Sequence, residues 1–335
     1  MNETLTIDGA TVLVTGATGF IGHHLVQDLV GRGARVHCLV RKSSDASGLK
    51  EEGIRLHFGD LAEGPPPREA LAGADYLFHC AGLTKAKTRK EYFLANALAC
   101  RHLYEACGAH ARNIKGIIHL SSLASAGPTP NGAPLTEASP CRPITYYGRS
   151  KLEGENIARD FASSLPICIL RPPVVYGPRE KNFFTFLKTI KNGIRLRIGT
   201  APRTLSLIHV EDLVRAMLAA AERPPEAGSV FFVTDGGVYS WDEVSDTAMH
   251  HLRVRCRSIT LPEGGLALAA LVMEALGRLR KEAPLFDRQR VKDIRQSSWT
   301  ASPEKFFAHY RFQPKFDMQT GLGETLGWYR ENRWL

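Results

Sequence analysis

The segment ITYYGRSKLEGEN, residues 144–156, sets two tyrosines side by side with a lysine just beyond. A helix turns about 100° per residue. Tyr147 and Lys151, four apart, therefore stand nearly above one another, while Tyr146 points off that face. A free phenol loses its proton at about pH 10, too high for ready exchange at neutral pH. An ammonium within about 4–6 Å favours the phenolate and lowers that pKa. The spacing predicts an acid/base pair, with Tyr147 the proton carrier, Lys151 the charge that tunes it, and Tyr146 a pocket or packing aromatic.

A second chemical element lies near the N-terminus. VTGATGFIGHHL (14–25) follows the apolar run TVLVT and opens a helical pattern. Gly16, Gly19 and Gly22 form GxxGxxG, one residue wider at its first gap than the GxGxxG fingerprint. Glycine lets the backbone turn tightly and approach a pyrophosphate, which sits at the positive helix N-terminus. Thr18, Phe20 and Ile21 are counted with the three glycines as cofactor-binding. An acid is expected about 20 residues on, for the ribose 2′-hydroxyl; Arg41 and Lys42 stand there instead. A guanidinium pairs with a 2′-phosphate that a carboxylate would repel, so the sequence predicts NADP in preference to NAD. Asp60 and Leu61, after the third apolar run, are assigned to the adenine region.

The elements that position these groups alternate along the chain. TVLVT (11–15), RVHCLV (35–40), IRLHF (54–58), YLFHC (76–80), GIIHL (116–120) and PICIL (166–170) read as strands, several apolar throughout, as strands covered on both faces should be. Ile21, Leu25 and Leu29 mark a helix face. Helices also fit 91–107, 147–164 and 206–222, with a returning strand at 229–233. This is an α/β fold, a doubly wound parallel sheet of the Rossmann type. Residues 1–178 are expected to form the NAD(P)-binding domain. Residues 179–335 are expected to form a smaller, mostly helical substrate lobe, with about 206–236 returning to the sheet.

The 335 residues carry a net charge of +9, without the basic and aromatic interleaving of a nucleic-acid groove. Seven scattered cysteines, with no CxxC pair, point to reduced thiols in a cytoplasm rather than disulfides or zinc. Cys100 and Cys107 share a helix face as small packing groups. His23–His24 and His250–His251 lack accompanying ligands and read as surface or packing residues, so no metal is expected. The N-terminus lacks a signal-peptide layout. No run is long enough to span a bilayer, and Leu266–Leu279, broken by Glu274 and Arg278, reads as a buried or capping helix. Weak contact with a membrane surface is the further use open to that helix and to the positive charge.

In order along the chain stand the glycine loop, Asp60, HCAG (79–82), Asn96, LSSLASAG (120–127), YGRSK (147–151), LRPPVVYGPR (170–179) and LIHVEDLVRAM (207–217). With them the chain resembles the extended short-chain dehydrogenase/reductases, the NAD-dependent epimerase/dehydratase family, to about residue 235. The resemblance implies that Tyr147 is the catalytic acid/base, Lys151 its partner, and Ser122 the serine that hydrogen-bonds the reacting oxygen, with Ser121 facing the packing. It places Asn96 near the nicotinamide ribose, and Ala81, Gly82 and Pro173 along the cofactor. It implies that Lys151 also holds that ribose, and that the positive nicotinamide joins the ammonium in lowering the pKa of Tyr147. It further implies a homodimer through helices 91–107 and 147–164.

Epimerases of this family carry an asparagine in an RxxN pattern where this chain has Val174, and its dehydratases follow the catalytic serine or threonine with an acidic pair where it has Leu123 and Ala124. RPPVVYGPRE and the tail, with Tyr310 and Pro314, look more like the branch of 3β-hydroxysteroid dehydrogenases and dihydroflavonol reductases. The expectation is a cytoplasmic NADP-preferring oxidoreductase interconverting a ketone and a secondary alcohol on a medium or large, lipid- or steroid-like small molecule. The alternatives are a nucleotide-sugar epimerase/dehydratase and a non-catalytic NADP-binding sensor or scaffold.

Overall fold

The computed structural model describes residues 6–111, 113–266 and 288–335. The apolar runs become β1 (Thr11–Thr15), β2 (Arg35–Val40), β3 (Ile54–Phe58), β4 (Tyr76–His79), β5 (Gly116–Leu120) and β6 (Ile167–Arg171). Every residue of β1, β4, β5 and β6 is buried, because helices cover both faces of a parallel sheet. Beyond them come β7 (Val174–Tyr176), β8 (Ile194–Ile198), β9 (Thr204–Leu205), β10 (Leu207–His209), β11 (Val230–Phe232), β12 (Tyr239–Ser240), β13 (Arg257–Leu261) and β14 (Ser298–Trp299).

The main sheet has seven parallel strands in the order β3-β2-β1-β4-β5-β6-β11. The order reverses between β1 and β4, which opens a crevice at the strands' carboxyl ends where ligands of such sheets bind. On one face, Leu25 and Leu29 of helix Phe20–Gly31 pack with Leu213 and Met217 of helix Val210–Glu222. On the other, Leu103, Cys100 and Cys107 of helix Ala99–His110 meet Ile157 and Ala158 of helix Tyr146–Asp160. A third core, including Tyr176, Leu187, Val244 and Leu322, holds the later residues together.

Three expectations change. Residues 206–222 are not one helix: Leu207–His209 is a strand beside β7, and the helix begins at Val210 under the His209 cap. A run of apolar residues this short reads the same in either period. The helix expected over 91–107 runs as Arg89–Phe93, a π turn at Leu94–Leu98, and Ala99–His110. The region after 239, expected to be helical, contributes β12, β13 and β14, which pair with β9 and β8. The apolar stretch 266–279 lies outside the described residues, apart from Leu266. Among the described residues no helix is long and apolar enough to cross a membrane.

Candidate active site

At the crevice, Gly16 leaves β1 with φ +74°, and a Cβ there would lie 2.6 Å from the backbone nitrogen of Ala81. A Cβ on Gly22 would stand 2.2 Å from the Gly16 carbonyl oxygen, so the helix presses onto the loop only because both are glycine. Gly19 is the helix N-cap, with no side chain bonded to the open N–H groups and no acid in the first turn. Thr18 and Gly19 are exposed, whereas Phe20 and Ile21 are half-buried. Uncapped donors at the positive end of a twelve-residue helix, on a loop that admits no side chain, fit the pyrophosphate of a dinucleotide.

The flanking residues divide in their uses. Arg41 and Lys42 are exposed just past β2, where the adenosine of a cofactor on this loop would lie. Asp60 accepts from the Ala62 N–H at 2.9 Å and closes its own turn. The Leu61 side chain is buried in the core. Asn96 is buried with its amide committed: Oδ1 accepts from the Leu83 N–H at 2.7 Å, and Nδ2 donates to the Leu83 carbonyl and to Ser150 Oγ. It ties the segment after β4 to the helix bearing Tyr147. Asn96 lies within the π turn Leu94–Leu98.

Helix Tyr146–Asp160 starts where Thr145 Oγ1 accepts from the Gly148 N–H at 3.1 Å. Two glycines set how closely it packs. A Cβ on Gly148 would be 2.2 Å from the Ala124 carbonyl oxygen, and one on Gly154 would be 2.3 Å from that of Asn96. The helix thus lies against the Ser122 turn on one side and the Asn96 turn on the other. Ser122 caps the short helix Leu123–Ala126 and hydrogen-bonds the Tyr147 phenol. The backbone N–H of Tyr146 donates to Gln289 Oε1 at 3.0 Å.

Lys151 is buried, and its ammonium donates to the Leu120 carbonyl at 2.6 Å. Burial lowers its pKa against the opposing pull of Cys100, Glu155 and Cys80. The phenol differs from the sequence expectation. Burial pushes the pKa of Tyr147 up, the Ser122 bond lowers it, and the charge of Asp293 raises it again. Burial is the largest of these effects, and the Lys151 ammonium, bonded to the end of β5, is not among them.

Beneath Lys151 lie His79, Cys100 and His119, with ring nitrogens and sulfur within 4.8 Å of one another. His79 Nδ1 meets Thr15 Oγ1 at 2.7 Å, its Nε2 meets Cys100 Sγ at 3.3 Å, and His119 Nδ1 meets Tyr104 Oη at 2.6 Å. Burial and the neighbouring ammonium keep both imidazoles neutral, His79 down to about 3. A bound cation would face Lys151 across this small space, so the trio is read as packing under the ammonium.

A cavity of about 700 Å³ opens from Ser122 and Tyr147, walled by Pro173, Val174, Phe186, Leu196 and Trp241 and, from helix Arg288–Ile294, by Asp293 and Ile294. Neither this far wall nor the buried pair Glu155–Arg171 was singled out from the sequence. The first lies more than 140 residues from Tyr147, and no local spacing signals such partners.

A profile of the NAD dependent epimerase/dehydratase family matches residues 12–233. The ceramide reductase of Caulobacter vibrioides is 30% identical over 328 residues, 97% of this chain and 96% of that protein. A ketoreductase of Stigmatella aurantiaca, named for 4-hydroxy-2-methyl-3-oxo-4-farnesyl-3,4-dihydroquinoline-1-oxide, is 32% identical over 67% of each chain. In fold, a solved epimerase from Methanothermobacter thermautotrophicus superposes with a TM-score of 0.79 at 22% identity, over 98% of this chain and 94% of that one. With the crevice, the uncapped glycine-loop helix and a match across two-thirds of its length, this chain belongs to the NAD-dependent epimerase/dehydratase family, as an NAD(P)-dependent oxidoreductase.

Proposed function

We propose that this enzyme is an NADP-preferring ketoreductase, interconverting a ketone and a secondary alcohol on a medium or large lipid-like molecule. The observation that carries the reading is the apolar wall of the cavity beside Ser122 and Tyr147. Two of the arginines there are already engaged: Arg197 makes two bonds to Asp242, at 2.9 and 2.8 Å, and Arg203 bonds Glu263 at 2.6 Å. A nucleotide-sugar diphosphate would compete with these carboxylates for the two guanidinium groups, whereas an aliphatic chain gains from the wall about 25 cal/mol per Å² buried. The names of the Caulobacter and Stigmatella relatives, a ceramide reductase and a farnesyl-quinoline ketoreductase, support a greasy substrate.

In this reading Tyr147 donates its phenolic proton to the carbonyl oxygen during reduction, and takes it back during oxidation. Its raised pKa suits the first role at neutral pH. The Ser122 hydroxyl steadies the same oxygen as charge gathers on it. The nicotinamide, when bound, supplies or accepts the hydride. Lys151, beside Gly82 and anchored on Leu120, holds the ribose with its remaining N–H groups, and Arg41 and Lys42 grip the 2′-phosphate. The test offers NADPH with a long-chain keto-lipid in detergent, and UDP-glucose with NAD separately. Reduction of the lipid ketone without epimerisation of the sugar is expected; epimerisation with no lipid turnover would overturn the proposal.

A further inference from the structure

β8 and β13 form a two-stranded parallel ribbon in which Arg257 is paired with Ile194, Ile259 with Leu196 and Leu261 with Ile198. Side chains alternate along a strand and keep step across a pair. One face of the ribbon therefore carries Ile194, Leu196, Ile198, Arg257, Ile259 and Leu261, and the other carries Arg195 and Arg197. The second face is occupied, since Arg195 and Arg197 bind Asp242 and Asp246 of helix Trp241–Leu252. On the first face, Ile198 and Leu261 are packed against Leu266 and Val291. Leu196 and Ile259 are left 49% and 40% exposed.

These two are not isolated. Val174, Leu196 and Trp241, all among the exposed large apolar side chains, line the cavity that begins at Tyr147, and Ile259 adjoins Leu196 in the register. Cations flank the same edge: Arg255 and Arg257 are exposed and have no ion-pair partner among the described residues. An exposed apolar strip with arginines beside it and an indole at its margin matches a bilayer interface with anionic headgroups. The cavity mouth continues the strip, so a chain leaving the bilayer would enter without crossing water.

We propose that the outer face of the β8–β13 ribbon docks this protein on an anionic lipid bilayer and presents the cavity mouth to it. The inference rests on the lipid-like substrate proposed above. The protein's charge of +9 favours such a surface over a neutral one.

The test is co-sedimentation of the full chain with vesicles of phosphatidylcholine alone, or mixed with phosphatidylglycerol. Binding is expected only to the mixed vesicles. Arg255→Glu with Arg257→Glu should weaken it by about tenfold or more, and Ile259→Glu should weaken it too. Lys50→Glu with Arg55→Glu makes the same charge change at the far, β3 edge of the main sheet and should matter less. Equal loss in both double variants would mean net charge alone, and overturns the proposal. So would unchanged binding in the ribbon variants, or a concentration-dependent oligomer abolished by Ile259→Glu, which would assign the face to a second copy of the chain. Thermal unfolding of each variant checks that it is folded. Turnover of the keto-lipid in detergent separates the two readings. An enzyme active there but indifferent to vesicles refutes the docking alone, and one that docks but reduces no lipid ketone refutes the substrate reading alone.

Discussion

Arg171 meets Glu155 inside the protein through two parallel bonds, Nη2 to Oε2 at 2.6 Å and Nε to Oε1 at 2.9 Å, with both side chains buried. Glu155 stands one helical turn beyond Lys151, and its Oε1 also accepts the hydroxyls of Ser121 and Ser125, on either side of Ser122. One carboxylate thus joins the end of β6, the Ser122 turn and the helix of Tyr147. The pair is a positioning device for the groups proposed to do chemistry.

Arg171→Met should cost about 3–5 kcal/mol, because it strands a buried carboxylate. Burial would raise the pKa of Glu155, but the bonds from Arg171 and the two serines outweigh it and hold the carboxyl below its usual range. A lowered folded-state pKa contributes stability above the unfolded pKa, lost as pH falls through the folded value. The gap between unmodified protein and variant should therefore be widest at neutral pH and shrink in acid, as denaturant unfolding at several pH values would show. Glu155→Gln with Arg171→Met should recover part of the loss; a single variant as stable as the unmodified protein would refute the role.

Tyr147→Phe should lose nearly all turnover and still bind cofactor, because only the proton carrier is removed. The raised pKa of Tyr147 fixes the sign of the pH dependence. Reduction uses the phenol and should hold across neutral pH, falling only in alkali; oxidation uses the phenolate and should climb with pH. Ser122→Ala removes the bond that lowers this pKa, so the oxidation limb should move to higher pH. It should also slow turnover by about 10²–10³-fold, as for one lost oxyanion donor. Steady-state rates in both directions against pH check this, and an unmoved limb would count against the Ser122 bond.

NADPH should bind more tightly than NADH by roughly 1.5–3 kcal/mol if Arg41 and Lys42 hold the 2′-phosphate, about tenfold or somewhat more. Both side chains are exposed, so the preference should shrink as salt rises. Arg41→Ala with Lys42→Ala should weaken NADPH and leave NADH nearly unchanged in fluorescence titrations. Equal affinities in the unmodified protein would return the two cations to the solvated surface.

A homodimer is expected through helices Ala99–His110 and Tyr146–Asp160, whose outer sides expose Arg101, Glu105, Arg149 and Glu153. Such an interface should bury at least about 1,000 Å² and, being charged, loosen with salt. Sedimentation velocity at micromolar concentration reads this; a monomer under low salt would contradict it.

The sequence by itself determined what short spacing and local periodicity carry: the strands of the parallel sheet, the glycine loop with its helix, and the helix that bears Tyr147 and Lys151. These follow from the helical turn, the continuous apolar runs and the positions where only glycine fits. It did not reveal that residues 207–209 are a strand, since three residues before a helix, Leu207, Ile208 and His209, are too few to show a period of their own. Tertiary structure alone decided the rest. Lys151 turns its ammonium to the end of β5, and burial raises the pKa of Tyr147. Asn96 spends its amide on the fold. The cavity gathers Ser122, Leu196 and Asp293 from three distant parts of the chain. A buried polar group takes whichever partner the packing brings within reach, and packing between such distant segments leaves no trace in local spacing.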